Sequence, residues 1–236
     1  NNRDEPAGPG NLGSGRTAKS VACGYVNTCA LLDNNTIKCW GDEHSAGYWT
    51  YCAGCDRDNH ILTPKSDPIN LGSGRTAKVM ARGYSHTCAI LDDDTAKCWG
   101  LNSNGLLGSG STNDKVGFLP SEVSALSLGA VPTSISVSGN SRTSCAIITG
   151  GTVMCWGANS YGQLGDGTTT FRTSPVAVDL GAGYTAKMIV PSYKTTCAIL
   201  NDDSIKCWGS NSGGEFGIGH NIPDSTSKTT VPLPAG

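Results

Sequence analysis

A chain of 236 residues with 32 glycines, 11 cysteines and only 15% charged residues carries a net charge of −2. That balance gives no electrostatic reason to bind nucleic acid or an anionic membrane surface. No apolar run approaches the ~18 residues that a membrane-spanning helix needs, and so many cysteines are unusual for a reducing compartment.

The first ten residues, NNRDEPAGPG, are polar and lack the apolar core of a signal peptide, so a secreted form is expected to have lost its leader already. The segment NLGSGRTAK then stands at 11–19 and again at 70–78. SLGAVPTS from Ser127 and LGAGYTAK from Leu180 hold the equivalent places. Leu12, Leu71, Leu128 and Leu180 are 59, 57 and 52 residues apart, and the cysteines step by the same intervals. The spacing predicts a lead-in segment at 1–10 and four repeats at 11–69, 70–126, 127–179 and 180–236. Stacked repeats share a continuous core, so these form one repeat domain.

Within each repeat the predicted elements are strands. A short β-rich segment such as AKVMARG is followed by TCAIL, a polar turn and TAKCWG, then a glycine-rich stretch and a segment such as SPVAVDL. No stretch has helical periodicity. Ten residues separate Cys29 from Cys39, Cys88 from Cys98, Cys145 from Cys155 and Cys197 from Cys207, and Trp-Gly follows each second cysteine. If Cys29 faces Cys39, the hairpin loop is Asp33-Asn34-Asn35. The later loops are Asp92-Asp93-Asp94, Thr149-Gly150-Gly151 and Asn201-Asp202-Asp203. A three-residue loop needs a left-handed residue at its end, and Asn35, Asp94, Gly151 and Asp203 tolerate that conformation. Each cysteine pair then sits directly across two antiparallel strands, within reach of a disulfide. This geometry favours bonding over buried reduced thiols and points to an extracellular or secretory-lumen setting. Cys29, Leu31, Ile37 and Cys39 share one face, and Ala30, Leu32 and Trp40 the other. Two apolar faces fit a sheet packed between neighbouring sheets.

The first repeat carries a cysteine-rich insert at 42–60 with Cys52-x-x-Cys55. Cys23, Cys52 and Cys55 lie outside the repeat pairs. A bond from Cys23 to Cys52 or Cys55 would leave one thiol for pairing between chains. Zinc on Cys23, Cys52, Cys55 and His44 or His60 is the sharper alternative, but it lacks a second ligand pair with metal spacing. No metal or cofactor is therefore expected. A redox-active C-x-x-C lacks its βαβ setting. Tyr48, Trp49 and Tyr51 form an aromatic cluster suited to a protein or carbohydrate contact, or to covering the edge of the first repeat. Asn34-Asn35-Thr36 is an N-glycosylation sequon at a hairpin tip. His86 shares its repeat position with Asn27, Arg142 and Lys194, which predicts a structural place at the surface or hairpin. The acidic clusters read as turn residues, not a calcium loop.

The unit GYSHTCAILDDDTAKCWGLNSNGLLGSGS at 83–111 resembles the regulator-of-chromosome-condensation repeat, as does CWGANSYGQLGDGTTTFRTSPVAV at 155–178. The matching residues are Gly83, His86, Thr87, Trp99, Gly100, Asn102, Gly105, Leu107 and Gly108, then Trp156, Gly157, Asn159, Gly162, Gln163, Leu164 and Gly165. The cysteine pairs resemble those of a secreted branch of that family. The resemblance implies an all-β propeller of four-stranded blades, the lead-in 1–10 completing a preceding or terminal blade. Family propellers usually have seven blades, and this chain has four units. It is either part of a larger propeller, an open array completed by other chains, or a four-bladed ring. The first repeat lacks the Asn-x-x-Gly-Gln-Leu-Gly pattern after Trp40-Gly41, and the fourth carries Gly214, Glu215 and Phe216 where Gly-Gln-Leu stands elsewhere.

No nucleophile motif, phosphate loop or carboxylate pair stands out. The expectation is a non-enzymatic extracellular structural or adhesive protein acting through protein contacts, with copies of itself as partners in an oligomer or filament. The alternative is a binding module that regulates or inhibits another protein. The resemblance supports it, since the family includes a nucleotide-exchange factor for a small GTPase and an inhibitor of bacterial β-lactamase.

Overall fold

The computed structural model describes residues 12–25, 27–42, 60–61, 67–113, 119–138 and 142–232. Among these residues the chain is built of antiparallel strands, with one 3-10 turn at Ser103–Gly105 and no α-helix. The first sheet holds β1 (Ala18–Cys23), β2 (Asn27–Leu32), β3 (Ile37–Asp42) and β4 (His60–Ile61), in that order. The second holds β5 (Ala77–Arg82), β6 (His86–Leu91) and β7 (Ala96–Gly100). The third holds β8 (Pro132–Val137), β9 (Thr143–Ile148), β10 (Val153–Gly157) and β11 (Arg172–Val178). The fourth holds β12 (Ala186–Pro191), β13 (Thr195–Leu200), β14 (Ile205–Asn211) and β15 (Ile222–Val231). Each sheet is one blade. The second has three strands among the described residues, where the resemblance implies four. In place of an outer ladder, Leu126 N–H bonds the Ala96 carbonyl at the edge of β7, at 2.8 Å.

The central hairpin of every blade has the same register. Leu32 N–H bonds the Thr36 carbonyl at 2.9 Å, and Asn35, Asp94, Gly151 and Asp203 all have positive φ. Cys29 lies opposite Cys39, Cys88 opposite Cys98, Cys145 opposite Cys155 and Cys197 opposite Cys207. Each pair is bonded, with Cα atoms 4.0 to 4.1 Å apart.

Alternation gives each blade a disulfide face and a tryptophan face, and the blades stack with one polarity. The disulfide face of the first (Cys29, Leu31, Cys39) shares a core with Met80, Leu91 and Trp99 of the second. Cys88, Ile90 and Cys98 meet Ile135, Ile148 and Trp156 of the third. Cys145, Ile147 and Cys155 meet Ile189, Leu200 and Trp208 of the fourth. No core cluster among the described residues joins the fourth blade back to the first. The result is a directional stack with two unlike ends.

Candidate contact surfaces

A glycine-rich loop follows Trp-Gly in the second, third and fourth blades and shapes the joint to the blade beyond. Asn102, Asn159 and Asn211 are fully buried at its start. Their Oδ1 atoms accept from the amides of Leu107, Leu164 and Phe216 at 2.8 to 3.0 Å, which curls the loop around the asparagine. The curl aims one carbonyl at the next blade. Leu106 O accepts from Trp156 Nε1 at 2.8 Å, and Gln163 O from Trp208 Nε1 at 3.0 Å. Gly108 and Gly165, at φ +67° and +71°, let the indole lie on the loop backbone. A Cβ added at Gly165 would meet Trp208 Nε1 at 2.6 Å. The first repeat lacks this loop's sequence pattern, and Trp99 Nε1 is buried with no acceptor among the described residues.

The fourth blade forms the same loop, and among the described residues nothing lies upon it. Phe216 is buried, and Gly217 has φ +66°, yet a Cβ added there would meet no atom within 4 Å. Beside it, Met188 and Val190 on β12 are each 52% exposed. Cys197, Ile199 and Ile205 on the same face are half-buried, whereas Cys88, Ile90 and Ala96 of the second blade are buried. At the other end Val21 on β1 is 63% exposed, while Met80, Ile135 and Ile189 at the equivalent position are buried. Trp40 is half-buried, while Trp99, Trp156 and Trp208 are fully buried.

A third surface combines the loops between first and second strands, at Tyr25, Tyr84, Arg142 and Tyr193, with the glycine-rich loops at Asn104 and Tyr161. Tyr25 and Tyr84 stack with ring centroids 4.5 Å apart. Tyr161 and Tyr193 lie 6.4 Å apart, with Lys194 Nζ 4.6 Å from the centre of the Tyr161 ring. A cleft of about 430 Å³ lies among Tyr84, Asn104, Arg142, Tyr161, Gln163 and Tyr193. Arg142 Nη1 donates to Asn104 Oδ1 at 3.0 Å, and no carboxylate lines the cleft among the described residues. Sequence reading missed this rim. The available signal was a tyrosine four residues before the first cysteine of three repeats, at Tyr25, Tyr84 and Tyr193.

The other sequence-derived candidates scatter. Tyr48, Trp49, Tyr51, Cys52, Cys55 and His44 lie outside the described residues, as does the side chain of His60. Cys23 is an exposed free thiol near Thr28 Oγ1, at 3.7 Å. Asn34 is exposed at its hairpin tip, and its Oδ1 accepts from Thr36 Oγ1 at 2.8 Å. The acidic tips are engaged locally: Asp94 with Lys78 and Asp203 with Lys187, each at 2.6 Å. Asp93 and Asp202 accept from Thr95 and Ser204. Among the described residues no group of three His, Cys, Asp or Glu could hold a metal ion. His86 is fully buried, which corrects the expectation of a surface place. The third blade closes over it, and its Nε2 lies 2.7 Å from Ser144 Oγ. Burial, followed by the charge of Arg82, lowers its pKa to about 3.

Stacked antiparallel blades, each joined to the next through a buried tryptophan, define a propeller-type repeat protein. The family model described as "Regulator of chromosome condensation (RCC1) repeat" matches residues 18–45, 80–106 and 135–163, and a second model of the same description matches 150–199. This chain belongs to that family. It is 26% identical to the Ultraviolet-B receptor UVR8 of Arabidopsis thaliana over 204 residues, covering 86% of this chain and 44% of the receptor. It is 25% identical over 216 residues to the human "Probable E3 ubiquitin-protein ligase HERC4", covering 90% of this chain and 19% of that protein. The chain thus spans less than half the length of either relative. Human WBSCR16 has a similar fold, with a TM-score of 0.75 at 17% identity, over 92% of this chain and 55% of that one. Yeast RCC1 (Prp20), solved bound to Kap60, gives 0.64 at 18% identity, over 83% and 42%.

Proposed function

We propose that this chain is a non-enzymatic extracellular protein, structural or adhesive, that works through protein contacts within an oligomer or filament. The observation that carries this reading is the open disulfide face of the fourth blade, with Met188 and Val190 each 52% exposed. An uncovered blade face is a liability that association relieves, and apolar patches of this kind mark interaction sites. Disulfides in every blade suit an oxidising compartment. The test is to alkylate thiols in the native source material and then fractionate it without reductant. We expect the chain outside cells, in particles larger than one copy, with its repeat cysteines protected until reduction. Recovery from the cytosol as a single reduced chain would sink the reading.

The tyrosine rim favours a second reading, a module that grips a different protein. Tyrosines beside cations over a cleft are the composition of interface hot spots. Yeast RCC1 is solved with a protein partner, Kap60, and we assign this rim the same class of ligand. Tyr161→Ala with Tyr193→Ala should lower capture of an extracellular protein at least tenfold. Equal capture by the double variant would remove the rim from consideration.

A further inference from the structure

We infer that the two ends of the stack are the two halves of one joint, so that the fourth blade of one copy docks on the first blade of a second copy, head to tail. This rests on the assembly reading above and names its junction. The three internal joints define what fits the open face. Each pairs a disulfide face with the tryptophan face of the following blade, none pairs two like faces, and in the second and third joints a glycine loop also receives the tryptophan. The fourth blade offers the first half complete. Its loop is curled by Asn211, and the space over Gly217 matches the place where Trp156 lies on Gly108 and Trp208 on Gly165. Glu215 holds the position of Leu106 and Gln163, whose carbonyls accept the indole N–H.

The first blade offers the second half. Val21 pairs with Ala30 as Met80, Ile135 and Ile189 pair with Ala89, Ala146 and Ala198, and those three are buried against a preceding disulfide face. Val21 is 63% exposed, Trp40 is half-buried, and Thr28 is half-buried where Thr87, Ser144 and Thr196 are fully buried. Ala30 and Leu32 on this face are already buried, so its free part is the strip around Val21 and Trp40.

Side-chain size points the same way. Opposite the first half-cystine, β1, β5 and β8 carry Ala22, Ala81 and Ser136, each half-buried, whereas β12 carries Val190. Opposite the next inward residue stand Ser20, Val79 and Ser134, and then Met188. The outermost blade thus has the larger apolar groups where a solvent-facing strand would carry polar ones. A joint between unlike faces is heterologous. It repeats into a ring where the rotation closes and into a filament where it does not.

Sedimentation velocity of the oxidised chain tests this, together with Val190→Asp, Val21→Asp and their equimolar mixture. Both residues are exposed, so the variants should keep the fold and the disulfides, which circular dichroism and thiol titration will verify. A carboxylate buried in an apolar joint is strongly unfavourable. We expect the parent chain to sediment as a multimer and each variant alone as a single copy. The mixture should regain a two-copy species, because V190D keeps its first-blade end and V21D its fourth-blade end. A single-copy parent overturns the inference. So does a mixture that stays dispersed. If V190D disperses the multimer and V21D does not, the assembly reading stands and the head-to-tail joint falls. If the parent is single both alone and in its native extracellular fraction, both fall.

Discussion

Burial between the second and third blades keeps His86 neutral, with its pKa lowered from 6.5 to about 3, first by desolvation and then by the charge of Arg82. The unfolded imidazole takes up a proton below about 6.5 and the folded one only near 3. The unfolded state therefore binds more protons between those values. Stability is fully present above 6.5 and falls as pH drops through this window, by up to about 1.4 kcal/mol per pH unit from this group. Asn27 holds the same position in the first blade and is also buried, so His86→Asn should fold and flatten that slope. Urea midpoints at neutral pH and near pH 4 would check it, and an unchanged slope would mean that His86 is not held neutral. The tryptophans give a second residue-scale contrast. Trp156 and Trp208 donate to loop carbonyls, and Trp99 Nε1 has no acceptor among the described residues. Replacement by Phe should cost about 1 kcal/mol or more at Trp156 and Trp208 through the lost hydrogen bond and orphaned carbonyl. The same change at Trp99 should cost less, or stabilise. Denaturation midpoints of the three variants decide it.

At the scale of the element, the hairpin carries a short covalent loop and a packed face, and the two contributions separate by position. Closing so small a loop contributes about 2–3 kcal/mol. Cys88 and Cys98 are also buried against the third blade, whereas Cys197 is half-buried at the open end. Removing the first pair by double substitution to Ala should therefore destabilise more than removing Cys197 and Cys207, by roughly 1–2 kcal/mol of lost packing. Equal losses, read from guanidinium unfolding, would mean that blade packing adds nothing at the cysteines. The register of this element was legible because two independent constraints coincide, the cysteine spacing and the loop residues Asn35, Asp94, Gly151 and Asp203. That both faces are apolar was legible from alternation. Which face meets which was not, because that depends on contacts between residues some fifty positions apart, such as Trp208 with Gln163. The burial of His86 was hidden for the same reason: its cover is Ser144, in the next blade. In register the position of His86 belongs to Asn27, Thr143 and Thr195 in the other blades, all of them buried, and Arg142 and Lys194 lie one residue earlier. The lysine before the second cysteine was also passed over as a strand residue. In the second and fourth blades it reaches back to the repeat's own entry segment, Lys97 Nζ to Leu71 O at 3.1 Å and Lys206 Nζ to Leu180 O at 2.8 Å.

For the whole molecule, stacking with one polarity makes stability a matter of neighbours. In a linear repeat array each unit is held by its own contacts and by its adjoining interfaces. The second and third blades have two such interfaces. Among the described residues the fourth has one, and at its other side Met188 and Val190 are exposed. Hydrogen exchange of backbone amides reads this directly, because protection follows the free energy of local opening. In a dispersed chain, V190D for example, β9 and β10 should be protected more strongly than β13 and β14, although the two hairpins share register, loop and disulfide. In the assembled parent chain the open face gains a neighbour, so β13 and β14 should slow towards the values of β9 and β10. Of the tyrosine rim, the loop of Tyr193 and Lys194, which lines one pocket with Val190, Cys197 and Glu215, should slow with them, whereas the loop of Tyr84, already against the third blade, should change little. Uniform protection across all four blades of a dispersed chain would mean that the array opens as one cooperative unit, and that the fourth blade does not depend on a partner for its stability.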